Sequence, residues 1–310
     1  MNSALIEQTM RHQLAKLLPN HASSDIYTYA TLPGGKLFRP HLVWSTLKDT
    51  NPELYEKSKN DPLSAHALLA TAVEFHHSYT LIHDDLPSMD NDTMRRGKPC
   101  THLAYGEWQA LLAGDGLLNL SYQLLAKMKN NRTLELMRFF SWALGPKGLI
   151  HGQVLDLSQE MTKSLENTLR THELKTARLI QVAVLGSAIL ANGKNTEREK
   201  KLWKYSRLLG INFQLIDDLS ELSESVLSDH EKEVNPWLHH PEKTFETTVN
   251  ALATFDQLSV DLNMVETNAI VKDYYAKMLA LITPNQSVIE SHLNQKSILP
   301  VVLLLKSFGN

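Results

Sequence analysis

The sequence predicts an all-α protein built as a single large helical bundle, and three observations carry that reading. Apolar residues recur at three- and four-residue spacing, as in Leu117, Leu118, Leu120, Leu124 and Leu125, or Leu179, Val182, Leu185 and Ile189. That is the period of a helix, and strand-like alternation is almost absent. Glycine and proline clusters cut the chain into helix-sized pieces, and no Ser/Gly or Pro linker or 20–50-residue repeat divides it further. Residues 1–310 therefore read as one all-α domain.

Taken in order, the N-terminal stretch MNSALIEQTMRHQLAKLLPN is amphipathic and charged throughout, unlike a secretory signal. The first breaker is Leu32-Pro33-Gly34-Gly35, the next Gly97-Lys98-Pro99, and between them lies the segment His83 to Asp92, HDDLPSMDND. The Leu117 helix ends before Gly145-Pro146-Lys147-Gly148, and the Leu179 helix before Gly193-Lys194-Asn195. A second acidic segment, Phe213 to Glu221, precedes Asn235-Pro236. The apolar tail Ile298 to Leu305 is too short to span a bilayer. Helices this apolar on several faces belong inside a large bundle or against a partner subunit. A formal net charge of -3 and 7% aromatic residues exclude a general nucleic-acid binder. One cysteine, Cys100, excludes an internal disulfide and fits a reducing cytoplasm.

The two acidic segments carry the chemistry. Carboxylates crowded into apolar helices repel and lose hydration, so a fold tolerates them when cations neutralise them. Oxygen-only ligands favour Mg²⁺. Asp217, Asp218 and Glu221 stand at i, i+1 and i+4, so one helical turn presents three carboxylates to a metal or metal pair. Asp84 and Asp85 precede Pro87, which breaks the helix and lets Asp90 fold back toward the same ion. The bland alternative is a solvated acidic face or a helix-dipole partner. Phe213, Leu215, Ile216 and Leu219 argue against a bare surface for the second cluster.

Basic residues accompany them: Arg95 and Arg96 after the first cluster, Lys36 and Arg39 after Gly34-Gly35, and Lys175 before Thr176. Guanidinium forks and a glycine turn suit phosphate oxygens, although each cation taken alone reads more readily as surface charge than as a ligand. His77, seven residues before Asp84, lies within about 20° of it on a helical wheel. A satisfied interior histidine fits that spacing as well.

Six ordered motifs, GGKLFRP, EFHHSYTLIHDDLPSMDNDTMRRGKP, LAGDGLL, HGQVLDL, KTARLI and GINFQLIDDLSE, resemble those of short-chain trans-isoprenyl diphosphate synthases, similar to farnesyl and geranylgeranyl diphosphate synthases. The resemblance implies a bundle around a central cavity in which Asp84, Asp85, Asp90, Asp217, Asp218 and Glu221 bind three Mg²⁺ ions, Mn²⁺ being a possible substitute. These would bridge the diphosphate of an allylic substrate, which Arg95, Lys175 and Lys232 (or Lys243) would also hold. Gly35, Lys36, Arg39, His77 and Arg96 would bind isopentenyl diphosphate. Thr176, Gln153 and Gln214 would line the reacting carbons and stabilise an allylic cation. It further implies head-to-tail prenyl transfer, most simply to farnesyl diphosphate, by a cytoplasmic homodimer that neither enters a membrane nor binds nucleic acid. Tyr79, five residues or about 7 Å upstream of Asp84, would floor the product pocket, though the wheel puts Thr80 more nearly in line.

Three departures accompany the likeness. Leu37 stands where the family has a second basic residue, which implies one lost contact to isopentenyl diphosphate. Glu221 replaces an aspartate. The family's glycine-lysine segment is degraded to SDHEKEVNPWLHHPEKT, and resemblance fades beyond it. A divergent class I terpene synthase and a non-catalytic partner subunit are the competing readings. Retained Lys36, Arg39, His77 and Arg96 argue against the first, and intact Asp84, Asp85 and Asp217 against the second.

Overall fold

The computed structural model describes residues 3–309, and they are almost entirely helical. The chain forms two compact units: residues 1–139 with 186–193, and residues 140–185 with 194–310. The first contains α1 (Ser3–Leu17), α2 (Asp25–Thr31), α3 (Phe38–Thr50), α4 (Pro52–Ser58), α5 (Ala65–Asp84), α6 (Thr101–Tyr105), α7 (Glu107–Ala126) and the start of α8 (Thr133–Leu144). The second contains α9 (Leu149–Leu157), α10 (Leu165–His172), most of α11 (Arg178–Ala191), α12 (Thr196–Glu221), α13 (Asp229–Val234), α14 (Pro236–His239), α15 (Pro241–Asp261), α16 (Val265–Ile282), α17 (Gln286–His292) and α18 (Leu299–Ser307).

The breakers read from sequence fall at helix ends. Asn195 caps α12 by accepting from the Arg198 N–H, and Asn235 caps α14, where Pro236 takes the first helical position. One short antiparallel hairpin, β1 (Met94–Arg95) with β2 (Lys98–Pro99), was not anticipated. Its turn places both Arg96 (φ 54°) and Gly97 (φ 77°) in the left-handed region, the requirement of a tight two-residue hairpin loop.

In the first unit α5 is apolar nearly all round, with Leu68, Leu69, Val73 and Phe75 at most 2% exposed. It begins at Ser64, whose side chain accepts from the Ala67 N–H. In the second, Tyr205, Phe255, Phe308 and Tyr275 form a ring cluster with centroids 4.7 to 5.3 Å apart. The stretch Leu165–Ala191 is long and apolar enough to cross a membrane, yet 89% of its most apolar window is buried within the protein. Its apolarity is that of a core helix.

Candidate functional site

The sequence-derived site residues divide between the two units, and each half is built differently. In the first, α5 carries Glu74, His77, Tyr79, Thr80 and Asp84 on successive turns and stops at Asp85. Proline at 87 ends the helical bonding, and the chain turns so that the Asp90 N–H donates to the Asp84 carbonyl at 2.8 Å. The backbones of Asp84 and Asp90 are thus brought together after Pro87. Asp85 turns elsewhere. It is 2% exposed and accepts from Arg95 Nε and Nη2 at 2.9 and 2.6 Å, while the same guanidinium also pairs with Asp92.

Arg96 reaches into the unit interior, where its Nη2 lies 3.2 Å from Glu74 Oε1. Glu74 is 2% exposed, and burial raises its carboxyl while Arg96 and Arg39 lower it. Arg39 stands in the same cluster: desolvation lowers its guanidinium to about 10 against the support of Glu74, and its buried Nε has no hydrogen-bond partner. Burial, then Arg39 and Arg96, hold His77 neutral. A β-carbon at Gly35 would sit 2.8 Å from Arg96 Nε, so a larger residue there would push the guanidinium from its present place. Four of the five residues expected at isopentenyl diphosphate therefore cluster, and Lys36 is exposed beside them. Sequence reading missed Glu74. Its signal was a lone carboxylate in an apolar helix, one turn before His77.

Leu37 occupies the position at which the family has a second basic residue. It is 3% exposed, adopts φ 48°, and packs where a β-carbon on Gly34 would meet its Cδ2 at 2.5 Å. The residue in place of the family's second base is a core side chain, not a vacant phosphate contact. Tyr79, 6% exposed, is packed edge-on between His76 and His83 at 4.6 and 5.6 Å, and burial pushes its hydroxyl up. Thr80 is less buried and donates to the His77 carbonyl at 2.8 Å.

In the second unit, a cavity of about 160 Å³ is lined by Asp156, His172, Lys175, Thr176, Gln214, Asp218 and Glu221 among others. Lys175 and Thr176 sit in a π-helical turn, Glu173–Ala177, inserted between α10 and α11. Such a bulge re-aims side chains that an α-helix would turn away, and it often marks a functional site. Gly152 permits α9 to lie against it, since a β-carbon there would be 2.4 Å from the Lys175 nitrogen. Lys175 pairs with Asp156. Thr176 Oγ1 donates to Gln214 Oε1 at 3.1 Å, and Gln214 Nε2 donates to Asp218 Oδ1 at 2.8 Å. Gln153 Nε2 is buried without a partner.

Asp218 is 6% exposed and its carboxyl is pushed well up, first by burial and then by Glu221, Asp217 and Asp156. Burial and Asp217 push Glu221 up to about 7. His172 Nε2 stands 3.6 Å from Asp218 Oδ2, but burial lowers the imidazole to about 4, so it is neutral and gives no ion pair. The face of α12 that lines the cavity is Gln214, Asp218, Glu221; burial, then the charge of Asp217, pushes the Tyr274 hydroxyl up. Among the described residues no three His, Cys, Asp or Glu side chains converge as a finished metal centre. Of the three carboxylates expected on one turn, Asp218 and Glu221 line the cavity and Asp217 is not among its lining residues, while Leu215, Ile216 and Leu219 beside them are buried.

Asn235 holds that turn. Its Nδ2 donates to the Asp218 carbonyl at 2.8 Å, and Trp237 Nε1 donates to the Leu215 carbonyl at 2.8 Å. Lys232 lies on α13, exposed, and does not line the cavity; Lys243 lines a different one. The donor set fits a hard divalent cation. Asp218 Oδ2 is buried with no hydrogen-bond partner, and burial together with the neighbouring carboxylates pushes both inward carboxyls up, an environment that a divalent cation would suit.

A sequence model of the polyprenyl synthetase family matches residues 20–236. A farnesyl diphosphate synthase of Bacillus subtilis is 39% identical over 203 residues, 64% of this chain and 65% of that protein. A chloroplastic geranylgeranyl pyrophosphate synthase of Capsicum annuum is 37% identical over 211 residues, 66% of this chain and 54% of that protein. The matched stretch thus spans between about half and two thirds of the length of these curated relatives. Among solved structures, a geranyltransferase from Helicobacter pylori superimposes with a TM-score of 0.70 at 27% identity, covering 88% of this chain and 97% of that one. A second structure described in the same words, complexed with magnesium and isoprenyl diphosphate, gives 0.68 at 25% with the same coverage. A geranyltransferase from Legionella pneumophila gives 0.70 at 26%, covering 95% of this chain and 96% of that one.

Proposed function

The chain belongs to the polyprenyl synthetase family, and from that premise we propose that it is a Mg²⁺-dependent head-to-tail prenyltransferase that joins isopentenyl diphosphate to dimethylallyl or geranyl diphosphate, with farnesyl diphosphate as main product. The observation that carries this reading is the cluster Gly35, Arg39, Glu74, His77 and Arg96. A cyclase has no second diphosphate to bind, whereas two guanidiniums gathered on a buried carboxylate form a phosphate receptor beside the one that metal and Arg95 serve.

Asp84, Asp85 and Asp90, with Asp217, Asp218 and Glu221, would hold the ions, three in all, with Mn²⁺ an acceptable substitute. Bound Mg²⁺ would supply positive charge to a departing diphosphate. Asp85 and Asp156 keep Arg95 and Lys175 extended until the allylic diphosphate takes their place. Lys232, exposed on α13, is a further candidate for that diphosphate. Arg39, Arg96, Lys36 and neutral His77 bind the isopentenyl diphosphate group, and Glu74 aligns both arginines. The Thr176 hydroxyl is ordered by Gln214, which Asp218 in turn orders, and together with Gln153 they offer fixed dipoles to an allylic cation. The double bond of isopentenyl diphosphate attacks that cation, and the released diphosphate accepts the proton lost from its C2. Apolar walls exclude water that would otherwise capture the cation.

We further read the protein as a cytoplasmic homodimer. Trp108, Leu111 and Leu112 form an exposed apolar stripe on α7, 66%, 46% and 56% accessible, and Ile150, Val154 and Leu157 form another on α9. Purified protein incubated with Mg²⁺, isopentenyl diphosphate and dimethylallyl or geranyl diphosphate should release farnesyl diphosphate on chromatography. A cyclised hydrocarbon, or no product, would overturn the proposal.

A further inference from the structure

The second unit contains another cavity, of about 650 Å³, whose lining shares no residue with the carboxylate cavity. It is formed by Lys163, Arg170, Arg207 and Lys243, with His240, Glu166, Glu173 and the apolar Leu165 and Leu169. Four permanent cations thus face two carboxylates in a chain whose net charge is -3. One carboxylate is already committed, because Glu173 Oε2 accepts from Arg207 Nε at 2.6 Å and its Oε1 accepts from Arg178 Nη2 at 2.8 Å. Among the described residues Lys163, Arg170 and Lys243 are in no ion pair. Lys243 stands in the first turn of α15, where the positive end of the helix disfavours a cation, so helix stability does not account for its position. The volume falls in the range of small-molecule sites.

We propose that this cavity binds a small diphosphate-bearing anion at a site separate from the catalytic one, and that its occupancy is felt at the π-helical turn. The path is short. Glu173 opens the turn that carries Lys175 and Thr176, and Arg207 is both its ion-pair partner and part of the cavity wall. An anion that takes up Arg207 weakens the hold on Glu173 and hence on Arg178. Arg178 in turn lies over the rings of Trp142 and Trp203, 4.8 and 5.0 Å from their centroids, so the change reaches two indoles.

The test is calorimetric titration of inorganic diphosphate, and in a second arm geranyl diphosphate, into the full-length Arg39→Gln protein in EDTA. EDTA removes metal-mediated binding, and Arg39→Gln weakens the isopentenyl diphosphate site. Binding is expected in this background, together with a change in tryptophan fluorescence. Adding Lys163→Ser and Arg170→Ser, both exposed and so harmless to folding, should weaken it at least about tenfold through lost charge-assisted contacts. Tighter binding in the geranyl arm would assign the Leu165 and Leu169 side to a hydrocarbon tail; equal binding would assign the site to free diphosphate. Absent binding, or binding unchanged by the two serines, would overturn the proposal, and binding without a fluorescence change would overturn its transmission to the turn. No metal and no turnover enter the assay, so its outcome is independent of the catalytic reading.

Discussion

Glu74 pairs with Arg96 and feels the charge of Arg39, the two guanidiniums that the proposed isopentenyl diphosphate site needs, and a carboxylate 2% exposed is tolerated there because both positive charges offset its burial. Glu74→Gln should therefore release Arg39 and Arg96 from their alignment. We expect the KM for isopentenyl diphosphate to rise roughly tenfold with the allylic KM unchanged, and stability to fall by about 3 kcal/mol; an equal rise in both KM values would show a general structural defect instead. Leu37 teaches the reverse lesson. Its sequence position suggests that arginine would restore a lost contact, yet the side chain is 3% exposed and seated on Gly34. Leu37→Arg should lower the melting temperature and leave the isopentenyl diphosphate KM no better, and a stable variant with an improved KM would contradict the packing described. Asp218 and Glu221 make a pH prediction. Both carboxyls hold protons more tightly in the folded than in the unfolded chain, so in EDTA the stability they confer is full below the ordinary carboxylate range of about 4 and is lost as pH rises through the Glu221 value of about 7. Melting temperature against pH should fall across that window, less steeply in Asp218→Asn, and added Mg²⁺ should oppose the fall. A parallel profile in wild type and Asp218→Asn would remove Asp218 as its origin.

At the scale of elements, the helices and their ends were legible because period and breakers are local properties: Gly148, Asn195 and Asn235 each stand at a helix start. The fold-back of Asp90 onto Asp84 was legible from Pro87. The π-helical turn at Glu173–Ala177 was not, since nothing in ELKTA departs from helical pattern and the close approach of α9 to it at Gly152 is a tertiary contact. Nor could sequence tell that Arg95 rests on Asp85, Lys175 on Asp156, or that Asn235 clamps the Asp218 carbonyl, because these pairings depend on tertiary placement. The register of α5 carries its own prediction. Tyr79 is wedged between His76 and His83 one turn and more above Asp84, so Tyr79→Ala should open space for a further five-carbon unit and shift product from C15 toward C20, the rate of the first condensation changing little. Unchanged product in Tyr79→Ala, with shortened product in Thr80→Phe, would move the floor to Thr80.

Across the whole molecule, the chemistry proposed here is divided between two compact units, each with its own acidic set and its own cation held in reserve: Asp85 with Arg95 in one, Asp218 beyond the Asp156–Lys175 pair in the other. Among the described residues neither set brings three such ligands together. It follows that each acidic set is indispensable alone, because ionisation needs all the charge that stabilises the leaving group. The most direct test is steady-state turnover of Asp85→Asn and Asp217→Asn with isopentenyl and geranyl diphosphates in Mg²⁺, each variant first shown to melt like wild type. A fall in kcat of at least about a hundredfold in both is predicted, with EDTA silencing the wild type reversibly; near wild-type rates in both variants would show that these carboxylates take no part in ionisation and contradict the account.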